Sequence, residues 1–242
     1  MHMETILHKA SSRGFFDHGW LRTYHTFSFA DYRNPERVSF GALRVLNDDT
    51  IAPETGFGLH PHHNMEIVSM PLRGALEHRD NMGNRTVIRA GELQVMSAGK
   101  GVLHSEYNES ATETAEFLQI WVIPDRPNVT PRYENGNISH LIRPNEISVI
   151  VSPFDSHTGG LWIYQQAWFS VADMDTDVSL EYVLRSEKSY GVYAFVLEGN
   201  VNAAGVELDR RDGLGITDTA RFDLRANGKS RVLLIEVPPY EI

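Results

Sequence analysis

Short apolar runs, each closed by a turn signal, recur along the whole of this chain and confine it to β-structure. In the first half the runs are Gly41–Leu46, Glu66–Leu72, Glu92–Met96 and Phe117–Ile123. In the second they are Ser148–Val151, Leu161–Gln166, Val178–Leu184, Val192–Leu197 and Arg231–Val237. Turns such as Asn81-Met82-Gly83-Asn84, Ala90-Gly91, Glu198-Gly199-Asn200 and Arg211-Asp212-Gly213 separate them. Several segments follow one another at about ten residues, the spacing of a barrel or sandwich. Helical periodicity is weak, so the expected fold is all-β with few short helices. No run approaches the roughly 20 residues of a membrane-spanning helix. Met1–Thr5 also lacks the basic and apolar regions of a signal peptide, so the expected location is cytoplasmic.

With 242 residues the chain has room for one large or two small domains. A composition shift between Pro124 and Asn145 favours two. That stretch holds Pro124, Pro127, Pro131 and Pro144 around Asn135-Gly136-Asn137, has few apolar residues, and reads as a connection. An internal repeat points the same way. Leu72-Arg73-Gly74 resembles Leu197-Glu198-Gly199, and Gly83 and Gly91 recur as Gly205 and Gly213, at offsets of 125, 122 and 122 residues. The expected division is residues 1–130, an N-terminal barrel, and 131–242, a second barrel stacked on it. Two such barrels cover each other's apolar faces, which favours a monomer.

The chain has no cysteine, which excludes disulfides, Cys-ligated zinc, iron–sulfur clusters and a thiol nucleophile. His, Asp and Glu remain as the strong metal ligands. Asp+Glu number 32 against 22 Lys+Arg, and the resulting charge of −10 argues against nucleic acid or an anionic membrane as partner. Eleven histidines are left to explain. Three fall in His60-Pro61-His62 and His104-Ser105-Glu106, and residues two apart on a strand share a face. If the two segments adjoin inside a barrel, three imidazoles and a carboxylate converge, which is a site for Fe, Mn, Ni, Cu or Zn with open positions. Glu66 shares parity with His60 and His62 and competes with Glu106 as the carboxylate. His63 has the opposite parity and is expected at the surface or behind the ligands. His78, His140 and His157 have no partner at useful spacing and are expected at the surface.

Asp17-His18-Gly19-Trp20, His25-Thr26-Phe27-Ser28-Phe29, His60-Pro61-His62 and the run Gly91–Glu106 together resemble the pirin family of the cupin superfamily. The resemblance covers the N-terminal half and continues weakly through the C-terminal half. It implies a bicupin: two stacked antiparallel β-barrels, with one metal ion, foremost Fe(II), held in the first. The family's ligands match His60, His62, His104 and Glu106, which sets Glu66 aside. Gly99 stands where cupins in general carry proline, and pirins share that departure. Bacterial members are associated with quercetin 2,3-dioxygenase activity, whereas the eukaryotic member is described as a redox-sensitive transcriptional co-regulator. Shifting the ligand positions by the repeat offsets lands on Arg185, Glu187, Ala226 and Gly228, so the second barrel is expected to be metal-free.

Two functions of different class follow. In the first, a mononuclear metal dioxygenase opens a flavonol-type ring with O2. The substrate's enol oxygen takes an open metal position, and Glu106 serves both as ligand and as catalytic acceptor of the hydroxyl proton. Phe27, Phe29, Phe57 and Met96 are candidates for walls around a small aromatic substrate, with plain core packing as the alternative. In the second, the metal senses redox state and governs a protein-interaction surface. A dioxygenase with another physiological substrate is a further rival. For His18, Trp20, His25 and Phe27 an N-terminal strand closing the barrel is the simpler account, with His25 as a pocket hydrogen-bond donor the alternative.

Overall fold

The computed structural model describes residues 3–156, 158–186 and 190–240. His157 and Glu187 lie outside them. Among the described residues one short 3-10 turn, Ala10–Ser12, accompanies 22 strands. The first eleven are β1 (Glu4–His8), β2 (Gly14–Asp17), β3 (Leu21–His25), β4 (Leu43–Ile51), β5 (Gly56–His62), β6 (Glu66–Arg73), β7 (Ala75–Asp80), β8 (Arg85–Arg89), β9 (Glu92–Ser97), β10 (Val102–Asn108) and β11 (Ala115–Val122). Then come β12 (Arg132–Asn137), β13 (Ile147–Pro153), β14 (Leu161–Ile163), β15 (Trp168–Met174), β16 (Ser179–Val183), β17 (Gly191–Glu198), β18 (Val201–Ala203), β19 (Val206–Leu208), β20 (Gly213–Thr217), β21 (Arg221–Ala226) and β22 (Ser230–Val237).

Each half builds a large and a small sheet. The N-terminal pair has the orders β12-β9-β6-β11-β4-β3-β2 and β5-β10-β7-β8. The C-terminal pair has β1-β20-β17-β22-β15-β13-β14 and β16-β21-β18-β19. All pairings between these strands are antiparallel except β13 with β14. The central order β9-β6-β11-β4 recurs as β20-β17-β22-β15, so the glycine repeat marks a repeat of topology. Gly74 and Gly199 turn equivalent hairpins at φ 72° and 84°, a region a side chain rarely enters. Gly213 is different: it opens β20, and a Cβ there would stand 2.2 Å from the Tyr193 hydroxyl.

Two strands cross the expected division at residues 130 and 131. β1 pairs with β20 in the C-terminal sheet, Glu4 opposite Thr217 and His8 opposite Gly213. β12, inside the proline-rich stretch, pairs with β9 in the N-terminal sheet. Without these exchanged strands β9 and β20 would be open edges with unpaired backbone. The stretch expected to be only a connection therefore contributes a strand.

The two large sheets pack outer face to outer face. Val68, Met70, Leu118, Ile120, Leu93 and Val95 from one meet Phe169, Tyr193, Phe195, Leu197, Leu233 and Ile235 from the other, all in one core. Alternate residues of the same strands face inward. In the C-terminal barrel Val192, Ala194, Val232 and Leu234 join Tyr182, Phe222 and Leu224 in a second core. No helix among the described residues is long and apolar enough to cross a membrane.

His8 is buried, with its Nδ1 2.9 Å from the Tyr193 hydroxyl and its ring against Phe27. Burial first, and then the charge of Arg37, push the imidazole down to about 4. The unfolded chain takes up this proton near pH 6.5, well before the folded chain does. Stability is therefore full above that pH and falls as pH drops from about 6.5 towards 4. His8→Gln is expected to lose less melting temperature than the wild type between pH 7 and 5, measured by thermal unfolding of the metal-free protein.

Candidate metal centre

Two neighbouring strands of the N-terminal small sheet bring three imidazoles together. β10 pairs with β5 so that His104 stands opposite His60 and Val102 opposite His62. Both strands alternate, so His60, His62, His104 and Glu106 face the barrel interior. The ring centroids of His60 and His104 are 4.4 Å apart, and each is 4.8 Å from its counterpart in the His62 pairs. One ligand nitrogen from each of the three lies within 4.8 Å of the others. The register of β10 against β5 shifts between His104 and Glu106, which sets Glu106 opposite Phe57. Its carboxylate falls within 4.8 Å of ligand atoms of His104 and His78.

The hydrogen bonds leave the right atoms free. His60 Nδ1 donates to the Gly58 carbonyl at 2.7 Å, which leaves its Nε2 lone pair available. His104 Nε2 is buried without a partner. On its other side, His104 Nδ1 lies 3.4 Å from His78 Nδ1, and His78 Nε2 lies 3.0 Å from an Asp80 carboxylate oxygen. A carboxylate only accepts, so His78 Nε2–H donates to Asp80, and His78 Nδ1 accepts from the His104 Nδ1–H. Burial opposes the charge on Asp80, yet bonds from Asn84 and His78 hold its carboxyl below the usual range. Burial, followed by the neighbouring imidazoles, pushes His62 and His104 each down to about 3. Both are neutral near pH 7, the state a metal requires. Three imidazole nitrogens within 4.8 Å of one another, one of them an orphan in the interior, therefore suit a divalent metal ion.

The cluster opens on a cavity of about 390 Å³, inside the usual size range of small-molecule sites. Trp20, Phe29, Phe57 and Trp121 form its aromatic walls; His60, His62, Glu106, Gln119, Asn47 and Asp49 supply the polar part. Of the expected wall residues, Phe29 and Phe57 line it. Phe27 packs between the large sheets, and Met96 packs with Ile67, Ala98 and Val102.

Comparison with known proteins follows the same lines. The family model described as Pirin matches residues 7–122, and one described as the quercetinase C-terminal cupin domain matches residues 149–237. The chain is 41% identical over 233 residues to a quercetin 2,3-dioxygenase of Escherichia coli K12, covering 96% of this chain and 98% of that protein. It is 38% identical to a pirin-like protein of Caulobacter vibrioides, covering 91% and 94%. The chain belongs to the pirin family. The bacterial pirin YhhW of Escherichia coli, solved in complex with nickel(II), superposes with a TM-score of 0.91 at 40% identity, covering 98% of this chain and all of that one.

Several residues of this pirin site had no place in the sequence reading. Ser69, Gln94 and Gln119 hold Glu106: Oε1 accepts from the Ser69 hydroxyl at 2.7 Å and from Gln94 Nε2, and Oε2 accepts from Gln119 Nε2 at 2.6 Å. Their signal is a polar residue at an inward position of an otherwise apolar strand. His78 is not at the surface as expected. It is fully buried, stacked on Tyr133 of β12 at 4.1 Å, and that strand comes from the far side of the proline-rich stretch. Trp20 lines the cavity and His25 is buried with Nδ1 unpartnered, so the N-terminal aromatic segment does more than close a sheet. His18, His63 and His140 are exposed. Glu66 joins neither histidine cluster; it accepts from the Ser97 hydroxyl and the Tyr164 amide, and burial pushes its carboxyl up to about 7.

The segment from Gly213 to β21 is shorter than that from Gly91 to β10, so a constant offset does not carry positions from one barrel to the other. In the C-terminal small sheet β16 pairs with β21, Tyr182 opposite Phe222 and Leu180 opposite Leu224, and the Tyr182 and Phe222 rings stack at 5.3 Å. None of these four is a histidine or a carboxylate.

Gln94 also donates to the Ser69 hydroxyl at 2.8 Å, so one amide ties two groups of the Glu106 cradle. Gln94→Leu leaves the buried carboxylate short of a donor and is expected to cost about 1–3 kcal/mol, read by urea unfolding of the metal-free protein.

Proposed function

We propose that this pirin is a mononuclear metal-dependent dioxygenase that opens a flavonol-type, quercetin-like ring with O2, one ring carbon leaving as carbon monoxide and both oxygen atoms entering the products. The observation that carries this reading is the convergence of three imidazoles on the wall of an aromatic cavity of about 390 Å³. The names of the Escherichia coli relative and of the matching C-terminal cupin model support it. His60, His62, His104 and Glu106 are the proposed ligands of one divalent ion, iron(II) first, although the Escherichia coli pirin structure holds nickel(II). Bound there, such an ion supplies Lewis acidity that lowers the pKa of a substrate enol and favours its reaction with O2.

The chain's own residues do the rest. Glu106, clamped by Ser69, Gln94 and Gln119, presents a buried carboxylate to the cavity and takes the enol proton of the substrate. The Gly58 carbonyl orients His60, and the His78–Asp80 pair orients His104, so that each ring keeps one nitrogen aimed at the ion. Trp20, Phe57 and Trp121 hold a flat ring system and exclude water. The N-terminal barrel is the proposed catalytic unit. The C-terminal barrel, its interior filled by Tyr182, Phe222 and Leu224, is proposed to be metal-free and to act as a packing partner. A cytoplasmic monomer that takes O2 and a small aromatic molecule, and no nucleic acid, completes the reading.

Purified protein is expected to carry about one metal ion per chain, and His60→Ala to lose it, by elemental analysis. Aerobic mixing with quercetin should bleach the flavonol absorbance and release carbon monoxide, with Glu106→Ala slowed by about 10²-fold or more. Turnover without carbon monoxide overturns the ring-opening chemistry, and full metal occupancy in His60→Ala overturns the site. For the orienting pair, His78→Ala should weaken metal binding by about 10–100-fold in a chelator competition.

A further inference from the structure

Two inward residues of β4 have no role in holding the metal or Glu106, yet they line the same cavity. Asn47 and Asp49 lie two apart on one face of the strand, each 3% exposed. The amide oxygen of Asn47 and Oδ1 of Asp49 are buried without any hydrogen-bond partner. Leaving a buried acceptor unpaired costs about 1–3 kcal/mol each, so two side by side at a cavity wall call for an explanation. The neighbouring strand offers no donor to spare. Gln119, opposite Asn47 on β11, spends its amide on Glu106, and Phe117 stands opposite Asp49. On β3 the residue across from Asp49 is Thr23, whose single hydroxyl proton can serve one of the two carboxyl oxygens and leaves the other free. Terminal carboxyl and amide torsions are soft, so both oxygens can turn to a ligand seated against them.

We propose that Asn47 and Asp49 form a hydroxyl-recognition subsite that accepts two hydrogen bonds from adjacent phenolic hydroxyls, a catechol, on the substrate. This deepens the dioxygenase reading and rests on it for the rest of the ligand. The chemistry follows from the groups present. Two acceptors demand two donors, and the walls of Trp20, Phe29, Phe57 and Trp121 demand that those donors sit on a flat aromatic ring. Sites built to hydrogen-bond a hydroxyl discriminate against the analogue that lacks it, because their own polar groups are then left unpaired.

The test is equilibrium binding without O2, so that affinity is read apart from turnover. Metal-loaded protein is titrated, by quenching of tryptophan fluorescence, with quercetin and with the flavonol identical to it except for the two adjacent hydroxyls. The wild type should prefer quercetin by about tenfold or more, the ratio expected from one or two net hydrogen bonds. Asp49→Ala and Asn47→Ala should bring the ratio towards one while binding of the catechol-free flavonol stays within about twofold, a pattern that general loss of fold does not give. The isosteric Asp49→Asn, which keeps an acceptor, should retain part of the preference. Equal affinities in the wild type, no binding of either compound, or an undiminished preference in both alanine variants overturns the subsite. Preference without any aerobic release of carbon monoxide leaves the subsite standing and overturns the dioxygenase reading instead.

Discussion

Each large sheet is buried on both faces, and the rest of the molecule depends on that constraint. One face of β6, β9 and β11 packs against the sheet of the other barrel, and the other face lines its own barrel. The outer faces have to match and are apolar in both halves. The inner faces are under no such demand. The C-terminal barrel fills its interior with hydrocarbon and aromatic rings, whereas the N-terminal barrel admits Ser69, Gln94, Gln119, Asn47 and Asp49 among its inward residues. The shared core supplies the hydrophobic stabilisation, and the N-terminal interior can then carry polar groups that do chemistry.

Those polar groups are arranged rather than scattered. Asn47, Gln119, Ser69 and Gln94 face one another in register across β4, β11, β6 and β9. Ser69, Gln94 and Gln119 of this row grip Glu106 from the large sheet, while the imidazoles come from the small sheet. The candidate centre thus spans the two sheets of one barrel, and its geometry is set by how they close on each other. His104 is fixed from behind by His78 and Asp80, and those are enclosed in turn by Tyr133 on β12.

Much of this was legible in the sequence because it follows from local periodicity. The parity of His60 with His62 and of His104 with Glu106 needs only the alternation of a strand, and the hairpin turns at Gly74, Gly83, Gly199 and Gly205 need only the φ values that glycine adopts. What local pattern cannot carry is which strand lies beside which. A single histidine at position 78 reads as a surface residue until β12 is known to cover it. Phe27 and Phe29, two residues apart, divide between core and cavity because the segment carrying them leaves the regular strand after His25. Glu66 and Glu106 share the same parity argument, and their separation depends on what surrounds each carboxylate in space.

The exchanged strands also bear on how the chain is made. His8 pairs with Gly213, a partner 205 residues further along. At synthesis rates of about 5–20 residues per second, β1 leaves the ribosome roughly 10–40 s before β20 exists. Through that interval Ile6 and Leu7 have no strand to pair with. The C-terminal sheet is complete only when it takes up a strand covalently joined to the other barrel.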